Sequence, residues 1–493
     1  MVLKYSKYRS LNHMSSHNHI ISLIQSNKPQ EAETELLQAI GRKPLEAQLW
    51  VLLGETLLLQ QQAGAAKRVF DRAWLLDPQA KWVNHIYKAM QEVPLGEPRP
   101  DIEDLLYVPK VTVTAAILSH NEAANIAKCI VALQGAVDEI LLVDSSTDDT
   151  RRIAMQYPKV RVVPIVWEDN FGAARNIGLQ HVTTDWVIWI DADEVLIPED
   201  VNAIREAASV FNQSEIIPAL HVWHLNRING TVQHDFSQVR MFPAQRGLRY
   251  YGRIHEQIAT DKGVYQLDTY RRAVKIRLDH NGYDPVVIQS KGKLERNLRL
   301  LKLMIEEEPE NPGHRLFYGR ESLGLGLEEQ AVAALLEAER LGIQTPLFGR
   351  MAEIYRLLIQ IMIQRKNFAE AEAYCHKALA HSPDFPDVHY LLAQVRMRQA
   401  DELLRLAEAS IKQSLTSLPN YRGSVSADYH IGEWKAATSL GELAMRSGKL
   451  ARAKQIFSQL KGKPGATEIL TSKLNAIEIE RQRLNQVEQQ PKK

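Results

Sequence analysis

The chain is expected to fold as an α/β domain with a mostly parallel sheet, set between two all-α arrays of paired helices. Three observations lead there. The apolar run Trp186-Val187-Ile188-Trp189-Ile190 stops abruptly at Asp191-Ala192-Asp193-Glu194, as a strand buried on both faces does where it leaves its sheet. Between about 110 and 285, segments of strand character alternate with segments of helical character, the pattern of parallel strands joined by right-handed crossovers. Outside that zone the apolar period is helical, and Pro44 and Pro78 close two copies of one small-and-large pattern 34 residues apart.

Composition sets the outer limits. At 493 residues the chain is too long for one core. A net charge of +1 gives no global field for nucleic acid or membrane. Cys129 and Cys375 lie far apart, which suggests neither a disulfide framework nor a zinc site. No stretch approaches the ~20 apolar residues of a membrane span. The basic start (Lys4, Lys7, Arg9, Lys28) is followed by no apolar core of a secretory signal. A cytoplasmic protein is expected, and peripheral attachment to the inner face of a membrane is compatible with that.

Residues 1–95 read as helix pairs. Trp50, Leu53, Gly54 and Leu57, followed by Ala66, Phe70, Ala73 and Pro78, fit the tetratricopeptide register, with a weaker copy at Ala32, Leu36, Ala39 and Pro44. Small residues let paired helices approach, bulky ones fill the groove, and proline ends the second helix. Two repeats are few, so this zone is expected to lean on the sheet domain after it. That domain, 108–288, comes after a Pro-rich linker at 93–100. Strands are expected at 111–118, 139–143, 160–166 and up to Asp191, with helices at 125–133, from Thr150 and from about Gly172. Residues 289–480 return to helical repeats. Their better copies are Ala371/Cys375/Ala378/Pro383 and Leu440-Gly441/Ala444/Ala453/Phe457, and their poorer ones Gly319/Ala331/Leu335/Ala338 and Ala393/Ala407/Ile411/Pro419. The polar tail 481–493 is expected to be disordered.

Three of the strands run into polar clusters: Ser119-His120-Asn121-Glu122, Asp144-Ser145-Ser146-Thr147-Asp148-Asp149 and Asp191-Ala192-Asp193-Glu194. In a doubly wound sheet such ends share one rim, where ligands bind. Each cluster alone has a helix-cap or turn explanation. Clustered carboxylates are costly unless paired or bound to a cation, and hard oxygen ligands suit Mg²⁺ or Mn²⁺ shared with substrate phosphates. A divalent-cation site for a phosphorylated donor is the sharper reading.

The ordered segments ILSHNEAANI, EILLVDSSTDDT, NFGAARNIGL and WVIWIDADEVL resemble family-2 glycosyltransferases of the GT-A fold, which transfer sugars from nucleotide-diphosphate sugars with inversion. Arg240-Met241-Phe242, Tyr251-Gly252-Arg253-Ile254-His255-Glu256 and His280-x-Gly282-Tyr283 resemble elements of a bacterial subgroup that includes lipopolysaccharide-core glucosyltransferases. The flanking repeats resemble proteins that fuse such a transferase to tetratricopeptide arrays.

The resemblance implies roles. Donor binding falls to Asn121, Glu122, Asp144 (base or ribose), Arg175 of the Arg175-Asn176 signature, and Asp191. Metal binding, by Mn²⁺ or Mg²⁺, falls to Asp193 with His280. Glu256 is the candidate base that removes the acceptor proton, with Glu194 or Asp235 as alternatives, since the family's later Glu-Asp pair has no clear copy here. The implied donor is a nucleotide-diphosphate sugar, most readily a UDP-sugar. The implied acceptor is a glycan, a lipid-linked molecule or a protein, with a protein partner on the repeats and no nucleic acid. Two rivals stand beside this reading. One is a repeat scaffold with an inactive transferase-like domain. The other is a nucleotidyltransferase, which Ala115-Ala116-Ile117-Leu118-Ser119, lacking a Gly-rich phosphate loop, disfavours.

Overall fold

The computed structural model describes residues 17–228, 230–280, 292–463 and 467–488. The chain divides into two compact units, Met1–Gly349 and Arg350–Lys493.

The first unit opens with α1 (Asn18–Gln25), α2 (Pro29–Arg42), α3 (Ala47–Leu59) and α4 (Ala63–Leu76). The small-and-large pattern is the contact between α3 and α4. A Cβ on Gly54 would sit 2.5 Å from the Phe70 ring, so only glycine lets the two helices close on that ring. Ala32 and Leu36 of the weaker copy are equally buried. Helices α5 (Val83–Met90) and α6 (Pro100–Leu106) then lead to the sheet.

Strands β1 (Val113–Ser119), β2 (Glu139–Asp144), β3 (Val160–Pro164) and β4 (Trp186–Asp191) are parallel in the order β3-β2-β1-β4. Helices α7 (Ile126–Leu133), α8 (Thr150–Ala154) and α9 (Phe171–His181) join them. Register aligns Ser119 with Asp144 and Leu118 with Asp191, so the three polar clusters do share one rim. Strand β3 stops at Pro164, two residues short of expectation.

Beyond β4 the sheet becomes mixed. It continues through β5 (Glu194–Leu196), α10 (Ala203–Phe211), β6 (Ile217–Ile228), β7 (Thr231–Asp235), β8 (Val239–Pro243) and β11 (Thr269–His280), while β9 (Arg249–Tyr251) and β10 (Gln257–Ala259) form a separate hairpin. Strand β8 runs antiparallel to β4, and β11 brings His280 opposite Glu194. Three helices follow: α11 (Lys293–Glu307), α12 (Pro312–Gly324) and α13 (Glu328–Gln344). They fall within the first unit, past the domain boundary expected at 288.

The second unit holds α14 (Met351–Gln364), α15 (Phe368–His381), α16 (Pro386–Ser417), α17 (Ala436–Arg446), α18 (Leu450–Gln459) and α19 (Thr467–Glu488). Ala371, Cys375 and Ala378 are buried as the repeat register requires, and Gly441 lets Phe457 approach. Two expectations fail. The copy built on Ala393, Ala407 and Ile411 is one continuous helix of 32 residues with Ala393 exposed, because no glycine or proline interrupts it before Pro419. Of the tail expected to be disordered, 481–488 is helical, and 489–493 lie outside the described residues.

The amino-terminal repeats do lean on the sheet. Arg72 of α4 donates to Glu206 of α10 at 2.7 Å, and Arg272 of β11 donates to the Leu76 carbonyl at 2.9 Å. Trp74 lies under Lys275 and Arg277, at 4.3 and 5.5 Å from its ring centroid.

Asp200 is fully buried beneath this join of α4 and β11. It accepts from Arg277 backbone N (2.8 Å), Nε (2.9 Å) and Nη2 (2.8 Å) and pairs with Lys275 Nζ at 2.7 Å. Burial pushes its carboxyl up, but the hydrogen bonds from Arg277 and Lys275 outweigh that and hold it below the usual range. A depressed carboxyl stabilises the fold above its unfolded-state pKa, and this is lost as pH falls through the folded value. Asp200→Ala strands two cations and is expected to remove about 3–5 kcal/mol of stability at neutral pH. The urea midpoint should fall, and the deficit relative to wild type should shrink at acid pH.

Candidate active site

The rim begins at the end of β2. Asp144 is fully buried and accepts from Ser119 Oγ at 2.7 Å, Ser146 N at 3.3 Å and Arg151 Nε at 3.1 Å. Asn121 has a left-handed φ of 57°, a conformation asparagine tolerates better than most residues. Its Oδ1 accepts from the backbone of Thr147 (2.9 Å) and Asp148 (3.3 Å), so the first and second rim loops are tied together. Glu122 N donates to Thr150 Oγ1, and its carboxylate accepts from Asn125 Nδ2, both at 2.8 Å. Asn121 and Glu122 thus build the rim by holding loops.

At the end of β4, Asp191 sits between two buried arginines. Arg240 of β8 grips it with Nη1 at 3.0 Å and Nη2 at 2.6 Å, and Arg175 of α9 donates to Oδ1 at 2.9 Å. Burial pushes the Asp191 carboxyl up, but the two guanidiniums prevail and hold it well below the carboxylate range. Arg175 also donates from Nε to Glu256 Oε1 at 2.7 Å, and its guanidinium lies 4.9 Å from the Trp189 ring centroid. That position depends on the residues around it. Asn170 caps α9 by accepting from Ala173 N at 2.8 Å. A Cβ on Gly172 would meet the Gly252 carbonyl at 2.5 Å, so glycine lets α9 touch the turn before Glu256. Asn176 exchanges two 2.8 Å hydrogen bonds with the Tyr250 backbone. The Arg175-Asn176 pair therefore divides its work: Asn176 fastens the β9 hairpin, and Arg175 links Glu256 to Asp191.

Asp193 has a different environment. His280 Nε2 lies 3.6 Å from its Oδ2, and His280 Nδ1 is 3.0 Å from Asn226 Oδ1. An amide oxygen only accepts, so Nδ1 carries a proton and Nε2 faces Asp193. Among the described residues no group of three His, Cys, Asp or Glu side chains is gathered as a metal cage. A two-donor set fits a cation that takes one or two protein ligands and completes its shell with phosphate oxygens and water. Asp193 and His280 supply such a set, whereas Asp191 is committed to arginines.

Of the other candidates for the base, Glu194 is buried and accepts from Asp191 N at 2.8 Å and Arg240 Nη2 at 3.3 Å, with His224 Nε2 3.1 Å away. Asp235 ends β7 and accepts from Ser237 N at 2.7 Å. Gly282 and Tyr283 lie outside the described residues.

Sequence reasoning gave Arg240 no role, although an arginine two residues before Phe242 in a strand signals a buried cation in need of a carboxylate. It also missed Arg151, and it did not bring the helices expected after the sheet into contact with the rim. Arg299 of α11 donates to Asp169 at 2.6 Å, and Glu321 of α12 lies 3.0 Å from His255.

Residues 114–246 match the model of glycosyl transferase family 2, and residues 17–80 and 351–402 match tetratricopeptide repeat models. The chain is similar to the prophage-derived glycosyltransferase SunS of Bacillus subtilis, 27% identical over 62% of this chain and 71% of that protein. An uncharacterized glycosyltransferase of Rickettsia felis is 38% identical over 21% of this chain and 37% of its own length. Among solved structures, that of S. aureus TarS with UDP-GlcNAc aligns at 12% identity and a TM-score of 0.31, over 58% of this chain and 92% of that one.

The Asp191–Arg240 contact should show as energetic coupling. Arg240→Met and Asp191→Asn are each expected to destabilise the chain. The double variant should lose less than the sum by about 0.5–3 kcal/mol, as for groups in one network. Urea unfolding of the four proteins measures it, and strict additivity would show that the contact is not formed.

Proposed function

We propose that this chain, whose family-2 glycosyl transferase domain is set among tetratricopeptide repeats, moves a sugar from a nucleotide-diphosphate donor to an acceptor hydroxyl with inversion. The observation that carries the reading is the division of labour at the end of β4. Asp191 is locked by two arginines, while Asp193, two residues on, faces His280. A purely structural acidic turn has no need of that asymmetry.

In this reading Asp144 accepts from the base or ribose of the donor, which is a UDP-sugar. Its other contacts, Ser119 and Arg151, keep the carboxylate aimed. Asp193 and His280 hold Mn²⁺ or Mg²⁺, which when bound offsets the charge of the departing diphosphate. Arg175 fixes Glu256 so that its carboxylate meets the acceptor on the side opposite the leaving group. The acceptor hydroxyl gives its proton to Glu256 while its oxygen forms the new bond to C1. The bond from C1 to the diphosphate oxygen breaks with its electron pair, and the configuration inverts. The scaffold alternative would leave the Arg175–Glu256 contact without a purpose beyond charge pairing.

The repeats of the second unit supply a stacked helical surface, suited to holding a protein partner or an extended glycan, lipid-linked or protein acceptor. Among the described residues no helix is long and apolar enough to cross a membrane.

A screen of nucleotide sugars for slow hydrolysis, with Mn²⁺ and with EDTA, tests the reading and identifies the donor. Asp193→Ala is expected to abolish metal-stimulated turnover while the fold is kept, and wild-type turnover that persists unchanged in EDTA would remove the metal from the proposal.

Glu256→Gln preserves shape and the contact with Arg175 but not proton affinity. Transfer should fall about 10²–10⁴-fold with donor affinity unchanged. Loss of affinity without loss of the transfer step would make Glu256 a binding residue.

A further inference from the structure

We infer that Glu321, on a helix beyond the sheet domain, is a positioning residue that holds Glu256 in place through His255. This deepens the proposed function and rests on Glu256 being the base.

The hairpin that carries Glu256 does not fix it. Strands β9 and β10 pair over three residues each, and the turn between them runs through Gly252 (φ 98°) and His255 (φ 50°). Histidine in the left-handed region holds only where its surroundings determine it, and here those surroundings belong to α12. Nε2 of His255 lies 3.0 Å from Glu321 Oε1, the ring is 4.9 Å from that of Phe317, and Arg320 Nη2 is 3.3 Å from Nε2 and 3.5 Å from Nδ1. A carboxylate only accepts, so Nε2–H of His255 donates to Glu321, with the Arg320 guanidinium beside the ring. Glu321 is itself buried and receives Asn297 Nδ2 at 3.3 Å on its other oxygen.

From His255 the constraint passes one residue along the backbone. Glu256 meets Arg175 Nε at 2.7 Å, and Arg175 meets Asp191 at 2.9 Å. Arg253 strengthens the same turn: its carbonyl accepts from Phe171 N at 2.8 Å, and its Nε donates to Glu307 of α11 at 3.0 Å. A loop carrying a proton acceptor is thus clamped from the sheet side by α9 and from the other side by α11 and α12. Without Glu321 the imidazole loses its fixed tautomer and the turn its reason to stay left-handed. Glu256 then samples positions away from the acceptor oxygen.

The test uses the whole chain with Glu321→Ala and Glu321→Gln, glutamine keeping an acceptor oxygen at the same reach. Two quantities are measured. One is hydrogen exchange of the amides at 254–257. The other is kcat and KM for hydrolysis of whichever of UDP-glucose, UDP-galactose, UDP-N-acetylglucosamine and UDP-glucuronate the wild type turns over fastest. Glu321→Ala is expected to speed exchange at 254–257 with the sheet amides unchanged, and to lower kcat about tenfold or more with KM unmoved. Glu321→Gln should restore both. Unchanged exchange at 254–257 in Glu321→Ala overturns the inference. So does a loss of global stability with kcat intact, which would make Glu321 only a docking contact. If the alanine variant does not fold, Glu321→Asp, one methylene short, must show the same local loosening or the inference falls. If loosening occurs but the wild type hydrolyses none of the four sugars, the positioning stands and the transferase reading fails.

Discussion

Arg175 and Arg240 are both buried, and what makes their burial tolerable is the carboxylate of Asp191 placed between them. An isolated guanidinium in such surroundings would forfeit several kcal/mol of hydration. Here three hydrogen bonds reach Asp191, while Glu194 and Glu256 take further ones. The partners come from different parts of the chain: Asp191 from the end of β4, Arg175 from α9, Arg240 from the antiparallel β8 and Glu256 from the turn before β10. The parallel and mixed halves of the sheet are therefore joined at the rim by charge as well as by the β4–β8 ladder. Asp193 stands outside those hydrogen bonds, and the group facing it is an imidazole whose protonation can change.

A second buried charge group does a similar job where the repeats meet the sheet. Asp200 organises Lys275 and Arg277 on β11, and both cations lie against Trp74 of α4. The amino-terminal repeats bury only a few helices of their own, so an apolar and cationic join to β11 supplies what a longer array would get from further repeats. Strand β11 also carries His280 at its end, so the element that anchors the repeats delivers a residue to the site. A disturbance at that join has a direct structural route to Asp193.

The helices after the sheet change how the molecule is divided. Helices α12 and α13 have repeat-like packing, with Gly319 admitting Leu335 as a repeat glycine would. They nevertheless belong with the first unit, and the polar faces of α11 and α12 engage Asp169, Arg253 and His255. The helices after the sheet are therefore joined to the rim and its turn, not set apart from them as a separate array.

Sequence by itself determined the local grammar. Apolar runs ending in acids marked β2 and β4, and parallel register then had to bring Ser119, Asp144 and Asp191 to one rim. Small-and-large periodicity marked the helix pairs, because Gly54 beside Phe70 and Gly441 beside Phe457 reflect steric needs visible in a single helix turn. Where no breaker residue stood, as between Pro386 and Pro419, the repeat pattern misled, since a helix ends only when some residue ends it. What the sequence left undecided was the set of partners. That Asp191 answers to two arginines, that Arg240 is one of them, and that Glu321 reaches His255 depend on side chains distant in sequence. Such contacts leave no periodic trace in the chain, and only the tertiary structure assigns them.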